Sequence, residues 1–193
     1  MGNVLIDFYP SQIVAHFTQD PLESELLIRE IFLSQEWQSL DLDLITHQDA
    51  AASICLRLPQ KHHELIHRIL SEWPVTITTR DEMIPLIKQL SEHGIKLYLA
   101  SNASIRFYEY QSNIKALDYF DGILISAEIH YGKPEPTFYE TLLERFHLHP
   151  NECLLIDDLP ANIEGAAQCG IDGFVYDGNS ETLKRFLHRK EII

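Results

Sequence analysis

The order of apolar and polar residues divides the chain in two. From Pro10 to Trp73 the apolar positions recur at helical spacing, and no segment alternates convincingly as a strand does. Leu26, Leu27, Ile31 and Phe32, with Glu30, fall on one predicted helix. A second starts after Thr46 and runs through "QDAAASICLRL"; a third is "KHHELIHRILSEW". From Pro74 onward helix and strand alternate. "PVTITTRDEMIPLIKQLSEHG" ends in a helix with Met83, Ile84, Ile87 and Leu90 on one face. Asp81 is its expected N-cap, Pro85 lies in its first turn and Gly94 stops it. The strand "IKLYLAS" follows, then a helix around "SIRFYEYQS", the strand "DGILIS" and a helix from Pro136 to Phe146. After the strand "ECLLIDD" comes the helix "PANIEGAAQCG", with Pro160 in its first turn and Gly170 past its end. The strand "GFVYD" and the helix "SETLKRFLHRK" close the chain. Strands alternating with helices predict parallel pairing, so the expected class is α/β: a parallel sheet flanked by helices, with an all-helical insertion beside it.

The first residues, "MGNVLIDFYP", break the usual pattern of polar termini. Val4, Leu5 and Ile6 form an apolar run almost at once, behind Gly2 and Asn3. The stretch reads like the end of something, as if a buried strand had just finished.

Composition narrows the function classes. A length of 193 residues suits one domain, or one domain with a small insertion, and a 45% hydrophobic content supports a real core. A formal net charge of −14 argues against binding a nucleic-acid backbone or an anionic membrane over a broad face. It leaves room for a small phosphorylated substrate held by a local cluster of donors. Cys55, Cys153 and Cys169 are far apart and form no CxxC, which argues against a disulfide framework or a cysteine zinc site and fits a reducing compartment. With no signal peptide or membrane span in view, the expected location is the cytoplasm.

Four short stretches carry chemistry. In "LLIDDLPANIEG" an apolar strand ends in Asp157 and Asp158, at the sheet edge where open α/β sheets bind ligands. Adjacent carboxylates repel and resist desolvation, and a divalent cation relieves both; hard oxygen ligands suit magnesium. Asp158 could also simply cap the following helix. In "YLASNAS" the strand ends in Ser101 and Asn102, whose hydroxyl, amide and backbone N–H groups are able to donate to an anion. "HYGKPEPTFY" holds Lys133 between Gly132 and Pro134, a fixed point charge for a phosphoryl group. "HELIH" matches the zinc-peptidase pattern through His63, Glu64 and His67, but with ten histidines in the chain a chance match is a real risk. Leu70 and Trp73 stand where the extended pattern needs other residues, and Leu65, Ile66, Ile69 and Leu70 read as a packed helix face.

In this order the pieces resemble the haloacid dehalogenase superfamily of phosphatases over essentially the whole chain. "LYLASN" is similar to its second motif, Lys133 in "GKPEP" to its third, and "LLIDD" with "NIEGA" to its fourth. Closest in pattern are small helically capped members, which include sugar-phosphate phosphatases and the amino-terminal domain of soluble epoxide hydrolases. The resemblance implies a Rossmann-like core of residues 1–10 and 74–193, a helical cap of residues 11–73, and Mg2+ as cofactor. It implies that Gly2, through its carbonyl, and Asp158 hold the metal, with Asp157 as a direct or indirect partner. Ser101 and the Asn102 backbone would donate to the phosphoryl oxygens, and Lys133 would neutralise charge.

The first motif of the resembling subgroup runs Asp, any residue, Gly, Asn or Gly, Val and then apolar residues. "MGNVLIDF" matches it from the second position onward, so the nucleophilic aspartate would stand immediately before Met1. Many relatives carry an acid–base aspartate where this chain has Gly2. The chain is therefore expected to lack the nucleophile and its strand, through a late start site or a truncation, to leave two inner strand edges unpaired, and to be inactive as it stands. The implied activity of the complete protein is hydrolysis of a small phosphorylated metabolite, a sugar phosphate for example, through an aspartyl-phosphate. A non-catalytic phosphate-binding or interaction paralogue is the competing reading. A zinc metallopeptidase built on "HELIH" and a dehalogenase are weaker ones.

Overall fold

A computed structural model describes residues 1–193. The segment expected to be helical contains no strand. It holds α1 (Pro10–Ala15), α2 (Pro21–Leu27), α3 (Gln35–Asp41), α4 (His47–Arg57) and α5 (His63–Glu72). Local chemistry sets these starts. The Asp20 carboxylate accepts from the Leu22 and Glu23 N–H groups ahead of α2, and Ser34 caps α3. Thr46 and Asp49 form a reciprocal capping box at α4. α2 continues through a wider helical turn, Ile28–Phe32, which carries the predicted apolar face inward. Leu27, Ile31, Leu40, Ala50, Ile54, Ile66 and Ile69 are buried in one core, with Phe8, Phe32, Trp37, Trp73 and Tyr110 clustered through edge-to-face and tilted ring contacts.

A short antiparallel pair forms the stem of this segment. β1 (Ile6–Asp7) faces β2 (Thr78–Thr79), with Ile6 opposite Thr79. One boundary differs from expectation. Asp81 does not cap the next helix: residues 81–83 make a tighter turn, and α6 (Ile84–Glu92) starts at Ile84, with Pro85 in its first turn. The Asp81 carboxylate accepts from Thr79 Oγ1 instead.

The rest alternates as predicted: β3 (Tyr98–Ser101), α7 (Phe107–Tyr110), β4 (Gly122–Ile125), α8 (Pro136–Phe146), β5 (Leu154–Asp157), α9 (Pro160–Gln168), β6 (Asp172–Val175) and α10 (Ser180–Arg189). β3 pairs with β4 and β5 with β6, both in parallel. The two pairs do not join into one sheet. Between β3 and β5 lies an apolar slot of about 530 Å³, lined by Leu97–Ala100 on one wall and Leu154–Ile156 on the other. Leu154, Leu155 and Ile156 are only half-buried for this reason, although their composition suits a strand enclosed on both faces. Phe138, Tyr139, Leu142 and Ala166 pack beneath one face, while Ile87, Leu90, Leu183 and Leu187 belong to the larger core.

Candidate active site

The carboxyl ends of β3, β4 and β5 lie at one edge, and the chemistry gathers there. Lys133 is 7% exposed. Its Nζ donates to the Ala100 carbonyl at 2.7 Å and to Asp157 Oδ2 at 2.5 Å, tying the ends of β3 and β5 together. Burial alone would raise the Asp157 carboxyl, but the Lys133 charge and hydrogen bond, with the Leu159 N–H, hold it below the usual carboxylate range. Its second oxygen accepts from Leu159 N and from Asn162 Nδ2, at 3.0 and 2.8 Å. Both oxygens of Asp157 are thus engaged within the protein.

Asp158 points elsewhere. Its Oδ2 accepts from Asn3 Nδ2 at 2.9 Å, which draws the Gly2–Asn3 segment to the site. Asn3 takes a left-handed conformation, φ 55°, and its Oδ1 caps the Phe8 N–H. The Met1 amino group is enclosed here too. Burial first, and then the Lys133 charge, lower it to about 5 against the opposing pull of Asp157 and Asp158.

Asn102 is exposed, but its side chain is committed. Nδ2 donates to the Lys133 carbonyl at 2.8 Å and Oδ1 accepts the Lys133 N–H at 2.7 Å. This clamp leaves the backbone N–H as its donor toward a ligand. Ser101, 2% exposed, donates from Oγ to the Asn102 carbonyl at 3.2 Å. Gly165 lets α9 approach the Lys133 loop closely, since a Cβ there would meet the Pro134 carbonyl oxygen at 2.4 Å. The structure therefore gathers Ser101, Asn102, Lys133, Asp157 and Asp158, with Gly2 adjoining through Asn3.

Several supporting residues escaped the sequence reading. Asn162 follows Asp157 by five residues on the first turn of α9, and its carbonyl accepts the Tyr139 hydroxyl. The signal available was an amide in "PANIEG", a position that reads as ordinary helix. Arg80 donates to the Asn3 carbonyl and to the Gly178 carbonyl, holding the opening loop; nothing local distinguishes it. Ser126 Oγ, at the end of β4, accepts from Ala103 N and donates to the Asp41 carbonyl, joining the loop after Asn102 to the end of α3.

The "HELIH" residues do not converge. His63 Nε2 faces the Leu58 carbonyl at 2.9 Å, while His67 Nε2 lies 4.0 Å from Cys55 Sγ. Nowhere do three His, Cys, Asp or Glu side chains gather as a metal cage. Asp7, the carboxylate of the opening stretch, sits in β1 and faces Arg80 at 3.7 Å. No helix is long and apolar enough to cross a membrane.

Comparison with known proteins gives the fold a family. The model of haloacid dehalogenase-like hydrolases matches residues 13–170. A phosphorylated carbohydrates phosphatase of Thermotoga maritima is 32% identical over 113 residues, 57% of this chain and 50% of that protein. A flavin mononucleotide hydrolase of Arabidopsis thaliana is 25% identical over 107 residues, 55% of this chain and 43% of that protein. The chain spans about half the length of the curated relatives it matches. Among solved structures, a predicted HAD-like hydrolase of Porphyromonas gingivalis superimposes with a TM-score of 0.74 at 17% identity, covering 96% of this chain and 94% of that one. A HAD family enzyme of Bacteroides thetaiotaomicron, solved with magnesium and inorganic phosphate, gives 0.72 at 20% identity, covering 93% and 92%. The parallel strands, the site at their carboxyl ends and the family match together place this chain among the haloacid dehalogenase-like hydrolases.

Proposed function

We propose that these residues form the metal- and phosphoryl-binding half of a phosphomonoester hydrolase site for a small phosphorylated metabolite of the sugar-phosphate kind. Residues 1–10 and 74–193 make the core of this reading and residues 11–73 its helical cap. The observation that carries it is the convergence of Lys133, Asp157 and Asp158 at the carboxyl ends of β3 and β5.

The donor set fits magnesium. The ligands on offer are hard oxygens, and magnesium keeps several waters and needs few protein groups. Asp158, whose carboxylate has the Asn3 amide as its protein partner, and the Gly2 carbonyl would hold the ion directly. Asp157, with both oxygens engaged, would act from behind. Bound there, magnesium supplies charge screening around the phosphoryl group. Ser101 Oγ and the Asn102 N–H bind phosphoryl oxygens. Lys133 neutralises charge and locks the two strand ends, while the cap excludes water.

No third carboxylate stands beside these groups in a position to attack phosphorus, Asp7 being turned to Arg80. With these groups alone at the site, the chain is expected to bind phosphate without turning over. The same observation favours, as a second reading, a phosphate-binding protein that never turns over. The first test is thermal melting with Mg2+ and inorganic phosphate, alongside turnover of p-nitrophenyl phosphate and glucose 6-phosphate. The expected result is a ligand-dependent rise in Tm, lost in Asp158→Asn and weakened in Asp157→Asn, with no turnover. An unchanged response in Asp158→Asn would overturn the metal assignment, and enzyme-like turnover through an aspartyl-phosphate within these residues would overturn the nucleophile argument.

A further inference from the structure

A cavity of about 650 Å³ lies on the seam between the helical segment and the core, beside the loop that follows β3. From the helical segment come Leu40 at the end of α3, Asp43 and Leu44 in the next turn, and His47 at the start of α4. From the core come Ser104, Ile105 and Arg106, with Glu109 on α7. Ser104 stands two residues past Asn102, so at most about 7 Å of chain separates them. Ala103, between them, is fixed in place: its N–H donates to Ser126 Oγ, which donates in turn to the Asp41 carbonyl. A phosphate ester held at Ser101 and Asn102 therefore has this cavity within reach of its organic half.

The polar groups around the cavity are of two kinds, engaged and free. Arg106 is engaged: it pairs with Glu109 and donates to the Leu70 and Ser71 carbonyls at 2.8 and 2.7 Å. The Asp49 carboxylate accepts from Thr46 N and Oγ1. Ser104 Oγ, the Asp43 carboxylate and the His47 ring have no protein partner. Ser104 is 6% exposed, so its hydroxyl is an enclosed group with its hydrogen-bonding capacity unspent. Burial first, and then the Arg106 charge, hold the His47 imidazole below its ordinary value against Glu109 and Asp43, so near pH 7 the ring is neutral. With Arg106 matched by Glu109, Asp43 and Asp49 leave the lining net negative, in a chain of formal net charge −14.

A second phosphate or carboxylate on the organic half would meet carboxylates here and no free cation. A hydroxyl meets Ser104 Oγ and the His47 ring, an ammonium meets Asp43, and Leu40, Leu44 and Ile105 cover apolar faces. We propose that this cavity seats the organic half of the phosphate ester and selects a polyhydroxyl group that is neutral or bears an ammonium, against one that bears a second anion. Its place in the reaction rests on the phosphoryl-binding reading above, to which it adds the charge class of the group attached to phosphorus.

The test uses the 193-residue chain with Mg2+ at pH 7, titrated calorimetrically with inorganic phosphate, glucose 6-phosphate, glucosamine 6-phosphate and 6-phosphogluconate. Glucose 6-phosphate is expected to bind about three- to tenfold tighter than inorganic phosphate, through the Ser104 hydrogen bond. The ammonium of glucosamine 6-phosphate adds about two- to fivefold, and the carboxylate of 6-phosphogluconate costs about as much. Ser104→Ala removes the advantage of glucose 6-phosphate over inorganic phosphate. Asp43→Asn removes the ammonium preference; Asn accepts the left-handed backbone of Asp43, φ 53°, so the variant folds. In the unaltered chain glucosamine 6-phosphate shifts the Ser104 and His47 amide resonances, and inorganic phosphate leaves them in place. Binding of 6-phosphogluconate as tight as that of glucosamine 6-phosphate would overturn the inference. So would an ammonium preference that survives Asp43→Asn, since it would then belong to the net charge of the whole chain. In both cases binding of inorganic phosphate leaves the phosphoryl reading standing. No binding of inorganic phosphate or of any ester removes that reading, and the role of the cavity with it.

Discussion

Replacing Lys133 with Met keeps the length of the side chain and removes its charge, which isolates the contact that ties β3 to β5. In the structure Lys133 and Asp157 are 2.5 Å apart, with side chains only 3% and 4% exposed. Breaking a buried pair from one side costs about 3–5 kcal/mol, because the remaining charge is stranded. The lower end applies here, since Leu159 N and Asn162 Nδ2 still bind Asp157 Oδ1. A loss of about 3 kcal/mol corresponds to a drop in Tm of about 6–12 °C for a chain of this size. The pH dependence tests the cause. In the native protein the Asp157 carboxyl lies below its ordinary range, so it contributes stability above the unfolded pKa and loses it as pH falls through the folded value. In the variant burial, the largest influence on this carboxyl, is opposed only by the remaining hydrogen bonds and the Met1 amino group and raises it, which then costs stability as pH rises above about 4. The gap between the two proteins should be widest near pH 7.5 and narrow toward pH 4 as the variant's penalty fades, reaching the loss of the Ala100 contact alone only below the lowered native value. Urea denaturation at both pH values, with EDTA present, measures it. A deficit equal at both pH values, or under about 1 kcal/mol at neutral pH, would refute the argument.

Further outcomes follow from other parts of the structure. Asp41 keeps some accessible surface, but its carboxyl is enclosed, and burial pushes it up to about 7 against a hydrogen bond from the Ser104 backbone. An acid raised on folding loses stability as pH climbs from its unfolded value toward 7, so Asp41→Asn should gain up to about 4 kcal/mol at pH 8 and little at pH 4, read as Tm against pH. Gly165→Ala forces a methyl group into the Pro134 carbonyl and should cost about 1–3 kcal/mol in urea denaturation, while weakening phosphate binding through the displaced Lys133 loop. His63→Gln with His67→Gln should leave metal content and phosphate binding unchanged; stoichiometric zinc lost in that double variant would restore the peptidase reading.

How much of this was legible in the sequence varies with the range of the interaction. Helix starts at Thr46 and Pro160 and the stop at Gly170 rest on groups within a few residues, and patterning found them. The boundary at Asp81 failed because its carboxylate had a nearer hydroxyl, Thr79 Oγ1, to bind. The apolar character of Leu154–Ile156 announced a strand, yet could not show that one of its edges would face an open slot. That outcome depends on which strands stand beside it, and strand neighbours are distant in sequence.

The site shows the same division. Residue chemistry and motif order by themselves single out Ser101, Asn102, Lys133, Asp157 and Asp158. The division of labour between the two aspartates came from tertiary contacts: Asp157 is engaged by Lys133 and Asn162, whereas Asp158 meets Asn3 across 155 residues of chain. The histidines of "HELIH" had the spacing to share a helix face, but the Leu58 carbonyl and Cys55 turned them to separate partners. Sequence by itself determines which groups are available and the local turns that satisfy nearby backbone atoms. Which polar groups pair once water is excluded is decided only by packing, because a buried donor must take whichever acceptor the fold brings within reach.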